Sequence, residues 1–180
     1  MRAFTALYER LDATTSTNAK IAAMADYFAT AAPADAGWAV FFLSGRRLKR
    51  LIGAAELRGW IRTQVGMAEW LFEESYAHVG DLAETAALLL RADESGPRTL
   101  ELSLAELVEA RLLPLRGADE TVRRDALAEL WARVPAGQLF VLNKIVTGAL
   151  RVGVSQRLLV RALEQATGIE DKVLAHRLMG

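Results

Sequence analysis

The sequence predicts an all-α fold: a compact single domain of ten or eleven short helices. Apolar residues recur every three or four positions along most of the 180 residues, which is the spacing of one helix face. No segment alternates apolar and polar residues for long enough to form a β-strand. Alanine and leucine, both strong helix formers, are abundant. The length is sufficient to bury a hydrophobic core without disulfide bonds.

The first three predicted helices are each marked by an apolar stripe. The stripes consist of Phe4, Leu7, Tyr8 and Leu11, then Ile21, Met24, Tyr27 and Phe28, then Trp38, Phe41 and Phe42. The hydroxyl residues 14–17 separate the first two helices and favour an N-cap for the second. Pro33 favours the first turn of the third helix, because proline has no N–H to leave unpaired there.

Glycines and polar loops divide the rest of the chain. A helix carrying Leu57, Trp60 and Ile61 is expected to end at Gly66, and the clearest loop is residues 92–99. Ser103 with Glu106 forms a capping-box pattern that predicts a helix start. The other predicted helices lie around Trp70–Phe72 and over about 82–90, 119–133, 136–147, 155–167 and 169–178.

One internal repeat is visible in the second and fourth quarters of the chain. A shift of 102 residues places Leu48 on Leu150, Leu57 on Leu159 and Gly66 on Gly168. Any two helical hairpins share some glycine and leucine spacing, so coincidence is one interpretation. The other is two copies of one helix–loop–helix unit, which would place two loops pseudo-symmetrically.

The charge is zero in total but uneven along the chain. Residues 44–63, the first basic segment, carry six basic residues and one acid, Glu56. Residues 143–161, the second basic segment, carry four basic residues and no acid. The compensating acids cluster between residues 69 and 109. A neutral total argues against a nucleic-acid partner, but this distribution reverses that argument.

Each basic segment also contains small residues, Ser44-Gly45 in the first and Thr147-Gly148 with Gly153 in the second. A glycine beside a helix end allows backbone N–H groups to approach a phosphate. A single run of basic residues is usually a solvated face. Two runs of basic residues at matching positions of the repeat favour binding to two stretches of sugar-phosphate backbone. Such contacts position the nucleic acid without reading its bases.

Composition and motifs exclude several other classes of site. The chain has no cysteine, and its two histidines, His78 and His176, stand 98 positions apart, so neither disulfides nor a metal cage is expected. The sequence contains no P-loop and no nucleophile elbow. No apolar run reaches the roughly 18 residues of a membrane span, and the N-terminus does not resemble a signal peptide. A cytoplasmic location is therefore expected.

Three segments together resemble a known family. They are Tyr8-x-x-Leu11-x-Ala13-Thr14-x-Ser16-x-x-x-Lys20, then Gly80-Asp81-Leu82-Ala83-Glu84, then Lys144-x-x-Thr147-Gly148-x-Leu150-Arg151-Val152-Gly153-Val154. Over residues 1–178 the chain is similar to the N-terminal DNA-binding domain of ATP-dependent DNA ligases, in particular the bacterial repair-type enzymes. That resemblance implies an all-helical domain with a pseudo-two-fold repeat. It also implies binding along the minor groove on both sides of a nick.

The resemblance also implies which residues meet DNA. Thr14, Ser16 and Lys20 would meet a phosphate at the start of the second helix. One flank of the backbone would lie on Ser44, Gly45, Arg46, Arg47, Lys49 and Arg50. The other flank would lie on Gly148, Arg151 and Gly153, with Lys144 and Thr147 nearby.

The same resemblance implies that catalysis lies elsewhere. Ligase adenylation needs Lys-x-Asp-Gly, and none of the four lysines has that context. We therefore expect residues 1–180 to be the DNA-binding domain of a longer monomeric ligase, with nucleotidyltransferase and OB-fold domains downstream as partners. ATP and Mg²⁺ would act there, with no cofactor in this chain. The whole protein would seal nicked double-stranded DNA at the bacterial nucleoid in repair, replication and recombination.

Two other classes of function remain open from the sequence. A helical protein–protein adaptor would use the acidic region 69–109 or exposed aromatic residues to dock a partner without DNA. A self-contained enzyme would carry a site unlike the motifs considered above.

Overall fold

A computed structural model describes residues 1–48, 51–91 and 98–179. Within these ranges the chain is helical and contains no strand, which confirms the all-α prediction. Lys49, Arg50 and residues 92–97 of the predicted loop lie outside the described residues. In the part of the chain that is described, no helix is both long enough and apolar enough to cross a membrane.

The helix bounds follow the predicted pattern closely. The α-helices are α1 (Arg2–Asp12), α2 (Thr17–Thr30), α3 (Pro33–Leu43), α4 (Ala54–Val65), α5 (Glu69–Val79), α6 (Leu82–Arg91), α7 (Leu104–Glu106), α8 (Glu120–Arg133), α9 (Leu139–Thr147), α10 (Gln156–Thr167) and α11 (Asp171–Met179). A π-helical segment, Leu107–Leu112, follows α7, and 3₁₀ turns cover Leu113–Leu115 and Ala136–Gln138. Helix α7 begins directly after Ser103, as the capping-box pattern predicts.

The helices pack into two compact units, which we call unit 1 and unit 2. Unit 1 comprises Met1–Arg47, Ser103–Ala105 and Leu150–Gly180. Unit 2 comprises Leu48–Leu102 and Glu106–Ala149.

Unit 1 is built on the packing of α2 along α10, with α1, α3 and α11 around them. Phe4 on α1 lies at its centre, with ring centroids 6.2 Å from Tyr27 and 6.1 Å from Phe42. Its fully buried side chains include Phe4, Leu11, Met24 and Leu159. The apolar stripes of the first three helices therefore form a core, as their spacing predicts.

Unit 2 is built around α6, which packs against α4, α5 and α9. Its fully buried side chains include Leu57, Ile61, Phe72, Leu90 and Trp131. The indole N–H of Trp131 donates to the side-chain oxygen of Asn143 at 2.9 Å. That bond satisfies a polar group inside an otherwise apolar core, where an unpaired donor would be costly.

The helix bounds confirm the predicted repeat. Helices α4 and α10 both contain 12 residues and begin 102 positions apart. Each ends at a glycine with left-handed backbone, Gly66 at φ +64° and Gly168 at φ +70°, a conformation that costs other residues energy. Helices α5 and α11 begin at Glu69 and Asp171, again 102 positions apart.

The repeat extends further than the sequence comparison indicates. Helices α2 and α8 both contain 14 residues and begin 103 positions apart, so the register changes by one residue between α2 and α4. The first copy is thus α1–α5 and the second copy is α7–α11. Unit 1 combines α1–α3 of the first copy with α10 and α11 of the second. The chain changes unit inside each basic segment, at Arg47–Leu48 and at Ala149–Leu150.

Candidate nucleic-acid interface

The first basic segment leaves α3 through a tight turn. The hydroxyl of Ser44 donates to the carbonyl of Phe41 at 2.8 Å, and the backbone N–H of Arg46 donates to the same carbonyl at 3.2 Å. Gly45 between them has φ +83°. The turn places the side chains of Arg46 and Arg47 in solvent, where both are exposed.

The second basic segment leaves α9 through a similar turn. The N–H of Gly148 donates to the carbonyl of Ile145 at 3.2 Å, and the N–H of Ala149 donates to that of Lys144 at 3.0 Å. The hydroxyl of Thr147 donates to the carbonyl of Asn143 at 2.7 Å. Residues 143–149 of this segment, which include Thr147 and Gly148, belong to unit 2, and residues 150–161 belong to unit 1.

Lys20 lies under the second basic segment. Its side chain is only 8% exposed. The ammonium group donates to the carbonyl of Val152 and to that of Gly153, the latter at 3.4 Å. Lys20 therefore holds the backbone of this segment from inside unit 1, while Arg151 on the same segment is exposed to solvent.

Gly153 is required by this arrangement. Its backbone is left-handed, with φ +60°, and a Cβ added there would stand 2.9 Å from the Nζ of Lys20. The left-handed backbone therefore favours glycine, and an added Cβ would also displace the ammonium group from its position.

Thr14 and Ser16 shape the start of α2. The hydroxyl of Ser16 accepts the N–H of Ala19 at 3.4 Å, which makes it the N-cap. The hydroxyl of Thr14 accepts the N–H of Ser16 at 3.1 Å. Both residues are at least partly exposed, and their contact with a phosphate stays a prediction.

Lys144 is drawn into an ion pair at the start of α6. It is 9% exposed, its ammonium group donates to the carboxylate of Asp81, and it lies 5.2 Å from the ring centroid of Phe140. Asp81 also accepts the N–H of Glu84 at 2.9 Å and so caps α6. Burial favours a higher pKa for Asp81, but the hydrogen bonds from Lys144 and from the backbone outweigh it and hold that pKa below its ordinary value.

Comparison with known proteins identifies the family. The sequence profile of the family described as DNA ligase N terminus matches residues 1–164. The chain belongs to this family.

Two curated relatives are similar to this ligase N-terminal chain over most of its length. One is a "Probable DNA ligase" of Opitutus terrae, which is 25% identical over an alignment 204 residues long. This alignment covers 92% of this chain and 20% of the relative. The other is a "Probable DNA ligase" of Koribacter versatilis, 26% identical over 168 residues, 90% of this chain and 29% of the relative. The chain therefore spans less than a third of the length of either relative.

The charge of the two basic segments is partly neutralised in this ligase N-terminal chain. Arg58 pairs with Glu73 at 3.6 Å, and Arg62 pairs with Glu69 at 3.0 Å. Lys144 is paired with Asp81, as described above. The excess of positive charge counted from the sequence is therefore larger than the excess presented to solvent.

Five arginines of the two segments stay exposed and have no acidic partner among residues 1–48, 51–91 and 98–179. They are Arg46, Arg47, Arg151, Arg157 and Arg161. All five belong to unit 1. The predicted cations Lys49 and Arg50 lie outside the described residues. Unit 1 thus contains exposed arginines from both basic segments.

Arg123 holds the first basic segment by its backbone, a role that the charge pattern of the sequence does not indicate. Its guanidinium donates to the carbonyl of Leu51 at 3.0 Å and to the carboxylate of Glu56 at 2.7 Å. It also lies 5.9 Å from the ring centroid of Trp60. The hydrogen bond from the Gly53 N–H lowers the pKa of Glu56, burial opposes that effect, and Arg123 lowers the pKa further.

The repeat is the signal that identifies Arg123. It stands 103 positions after Lys20, the offset that relates α8 to α2. Its acceptor Leu51 stands 102 positions before Gly153, the offset that relates α4 to α10. Each basic segment is therefore held by an equivalent cation acting on an equivalent carbonyl.

Proposed function

We propose that this chain binds double-stranded DNA through the sugar-phosphate backbone, as the DNA-binding part of an ATP-dependent DNA ligase. The observation that carries the proposal is the set of exposed arginines in unit 1 without acidic partners among the described residues. Arg46 and Arg47 lie in the segment that follows α3, and Arg151 lies in the segment that follows α9. Membership of the ligase N-terminal family supports the same ligand.

The chemistry favours recognition of shape and charge over recognition of sequence. Arginine guanidinium groups neutralise phosphates and release counterions, so affinity falls steeply as salt rises. Contacts of this kind position a protein on the duplex and carry no base information. We infer that the chain follows the minor-groove side of a nicked duplex and binds unrelated sequences equally well.

The chemistry of nick sealing is assigned to the remainder of the whole protein. The sequence contains no Lys-x-Asp-Gly, and the described residues hold no group of three carboxylate or imidazole side chains suited to a metal ion. We propose that ATP and Mg²⁺ act outside residues 1–180. Its own contribution is to hold the nicked duplex for catalytic domains of the same polypeptide.

A binding titration tests the proposal. Fluorescence anisotropy of the 180-residue chain with a labelled nicked duplex is measured at about 50 and 200 mM salt. If each of the five exposed arginines neutralises one phosphate, the affinity should fall about 500-fold over this range. Two nicked duplexes of unrelated sequence should bind alike, and an intact duplex measures the preference for the nick. Absence of binding at the lower salt concentration would contradict the proposal.

A pair of variants tests the arginines directly. Arg151→Ala should weaken binding and lower the salt slope by about one unit. Arg124→Ala is the matched control, because Arg124 is exposed but already paired with Asp125 at 3.0 Å. The control should bind like the wild type. An unchanged affinity and slope in Arg151→Ala would remove Arg151 from the interface.

One observation favours a protein-docking function as the second candidate. Trp70, Leu71 and Leu88 on α5 and α6 are 69%, 40% and 49% exposed, and exposed apolar side chains mark a docking surface where they form one contiguous patch. Trp70→Ala should leave DNA binding unchanged if the first proposal is correct. Loss of DNA binding in this variant, with its helix content retained, would assign α5 to the DNA interface instead.

A further inference from the structure

A cavity of about 320 Å³ opens in unit 1 beside the first basic segment. Its walls come from the end of α3, the turn after α3, the first residue of α10 and the last turn of α11. These elements belong to both copies of the repeat, so residues more than a hundred positions apart face one space. A cavity of this volume lies at the lower end of the range of small-ligand pockets.

The cavity has an apolar wall and a cationic rim. Val40, Phe41 and Leu178 form the apolar wall. Phe41 is held in place by Trp38, whose ring lies edge-on with centroids 5.3 Å apart. A space with this wall suits a ligand that is apolar on one side, such as a deoxyribose ring.

The rim carries Ser44, Arg46, Gln156 and Arg177. Arg46 and Arg177 are both exposed, and neither has an acidic partner among residues 1–48, 51–91 and 98–179. Among the residues that the structure describes, no acidic side chain lines the cavity. Guanidinium groups that are free of carboxylates bind phosphate strongly, because their planar donors match its oxygens.

We propose that this cavity receives one sugar-phosphate unit of a DNA strand, with the phosphate between Arg46 and Arg177 and the sugar against Val40 and Phe41. The inference rests on the proposed function and adds Arg177 as a DNA-binding residue. Arg177 lies outside both basic segments, which is why the charge pattern of the sequence does not indicate it. A free mononucleotide carries the same phosphate ester on a sugar as a DNA strand does. It is therefore the alternative occupant of the cavity.

The test compares substitutions in the same helix by anisotropy with the nicked duplex. Arg177→Ala should weaken binding several-fold and lower the salt slope by about one unit. Lys172→Ala removes the same charge from α11 but does not line the cavity, so its affinity and slope should stay near those of the wild type. Circular dichroism confirms the helix content of both variants. Equal losses of affinity and of salt slope in the two variants would overturn the inference, because the loss of any positive charge from α11 would then explain them.

A steric substitution separates the cavity from the arginine alone. Gly37 also lines the cavity, and a Cβ added there meets no atom within 4 Å. Gly37→Leu should fill part of the space and weaken DNA binding several-fold with its helix content retained, whereas Gly37→Ala, which adds only the Cβ, should bind like the wild type. Normal binding by Gly37→Leu, together with weakened binding by Arg177→Ala, would place the phosphate outside the cavity and overturn the inference.

Two further results distinguish the possible failures. When the chain is titrated with dAMP, we expect no saturable binding over the concentration range in which the nicked duplex binds to saturation. Saturable dAMP binding that Arg177→Ala abolishes would instead assign the cavity to a free nucleotide. If the wild type binds the duplex and Arg151→Ala weakens it, but Arg177→Ala does not, only this inference fails. If the wild type does not bind the duplex, the proposed function fails as well.

Discussion

The buried ammonium group of Lys20 donates a hydrogen bond to the backbone carbonyl of Gly153, 3.4 Å away and 133 positions further along the chain. Arg123 makes the equivalent contact in the other copy of the repeat, with the carbonyl of Leu51 at 3.0 Å. Both cations hold a basic segment by its backbone, while other basic residues of the segments face solvent. The geometry thus gives Lys20 and Arg123 a positioning role.

Lys20→Met should destabilise the fold and weaken DNA binding without changing the salt slope. The substitution keeps most of the apolar stem but leaves the carbonyls of Val152 and Gly153 without their donor, at a cost of about 1–3 kcal/mol. Urea denaturation measures the stability, and anisotropy at several salt concentrations measures the slope. Lys172→Met is the exposed control. A slope lower by about one unit would show that Lys20 contacts a phosphate directly.

Gly153→Ala should lower the free energy of unfolding by more than Gly168→Ala. Both positions have left-handed backbone, which costs an alanine about 1–2 kcal/mol, but only Gly153 has a neighbour, the Nζ of Lys20, within 4 Å of an added Cβ. The excess loss should shrink in the Lys20→Met background, because the crowding group is then absent. Equal losses at both glycines in the wild-type background would contradict this contact.

Asp81→Asn should destabilise the chain at pH 7 by about 1 kcal/mol, since Asp81 is about one-third exposed and water screens its pair with Lys144. The pKa of Asp81 is lowered in the folded state. Its contribution is therefore complete above the ordinary aspartate pKa of about 3.9 and is lost as pH falls through the lower folded value. The stability difference between wild type and variant should narrow below about pH 4. A difference that stays constant across this range would exclude the charge of Asp81 as its cause.

Arg123→Met should destabilise the fold by about 1–3 kcal/mol, because the carbonyl of Leu51 and the carboxylate of Glu56 lose their donor. Arg124→Met, at the neighbouring exposed position, should change stability by less than about 0.5 kcal/mol. Chemical denaturation of both variants checks the comparison. Equal free energies of unfolding for Arg123→Met and Arg124→Met would show that Arg123 does not hold the first basic segment.

Much of the fold could be predicted from the sequence because its signals are local. The stripe at Phe4, Leu7 and Leu11 and the terminating glycine at Gly66 depend on residues within a few positions of each other. The repeat was visible for the same reason, as similar local patterns 102 residues apart. Its extension to α2 and α8 was not visible, because the one-residue change of register interrupts the alignment.

The electrostatics of the site depend on tertiary contacts and were harder to predict. The sequence places Arg58, Arg62 and Lys144 in basic segments, but their partners Glu73, Glu69 and Asp81 come from elsewhere in the chain. The inward position of Lys20 depends on the packing of α2 along α10. The π-helical segment Leu107–Leu112 likewise has no local sequence signal that distinguishes it from an ordinary helix.

The measurement that tests the central claim most directly is the salt dependence of nicked-duplex binding by the wild type and by the triple variant Arg46→Ala/Arg47→Ala/Arg151→Ala. These are exposed arginines of unit 1 in the two basic segments, and each should contribute close to one unit to the slope. We expect the triple variant to bind much more weakly, with a slope lower by about three units and unchanged helix content. A slope and affinity equal to those of the wild type would contradict the assignment of these arginines to the DNA backbone.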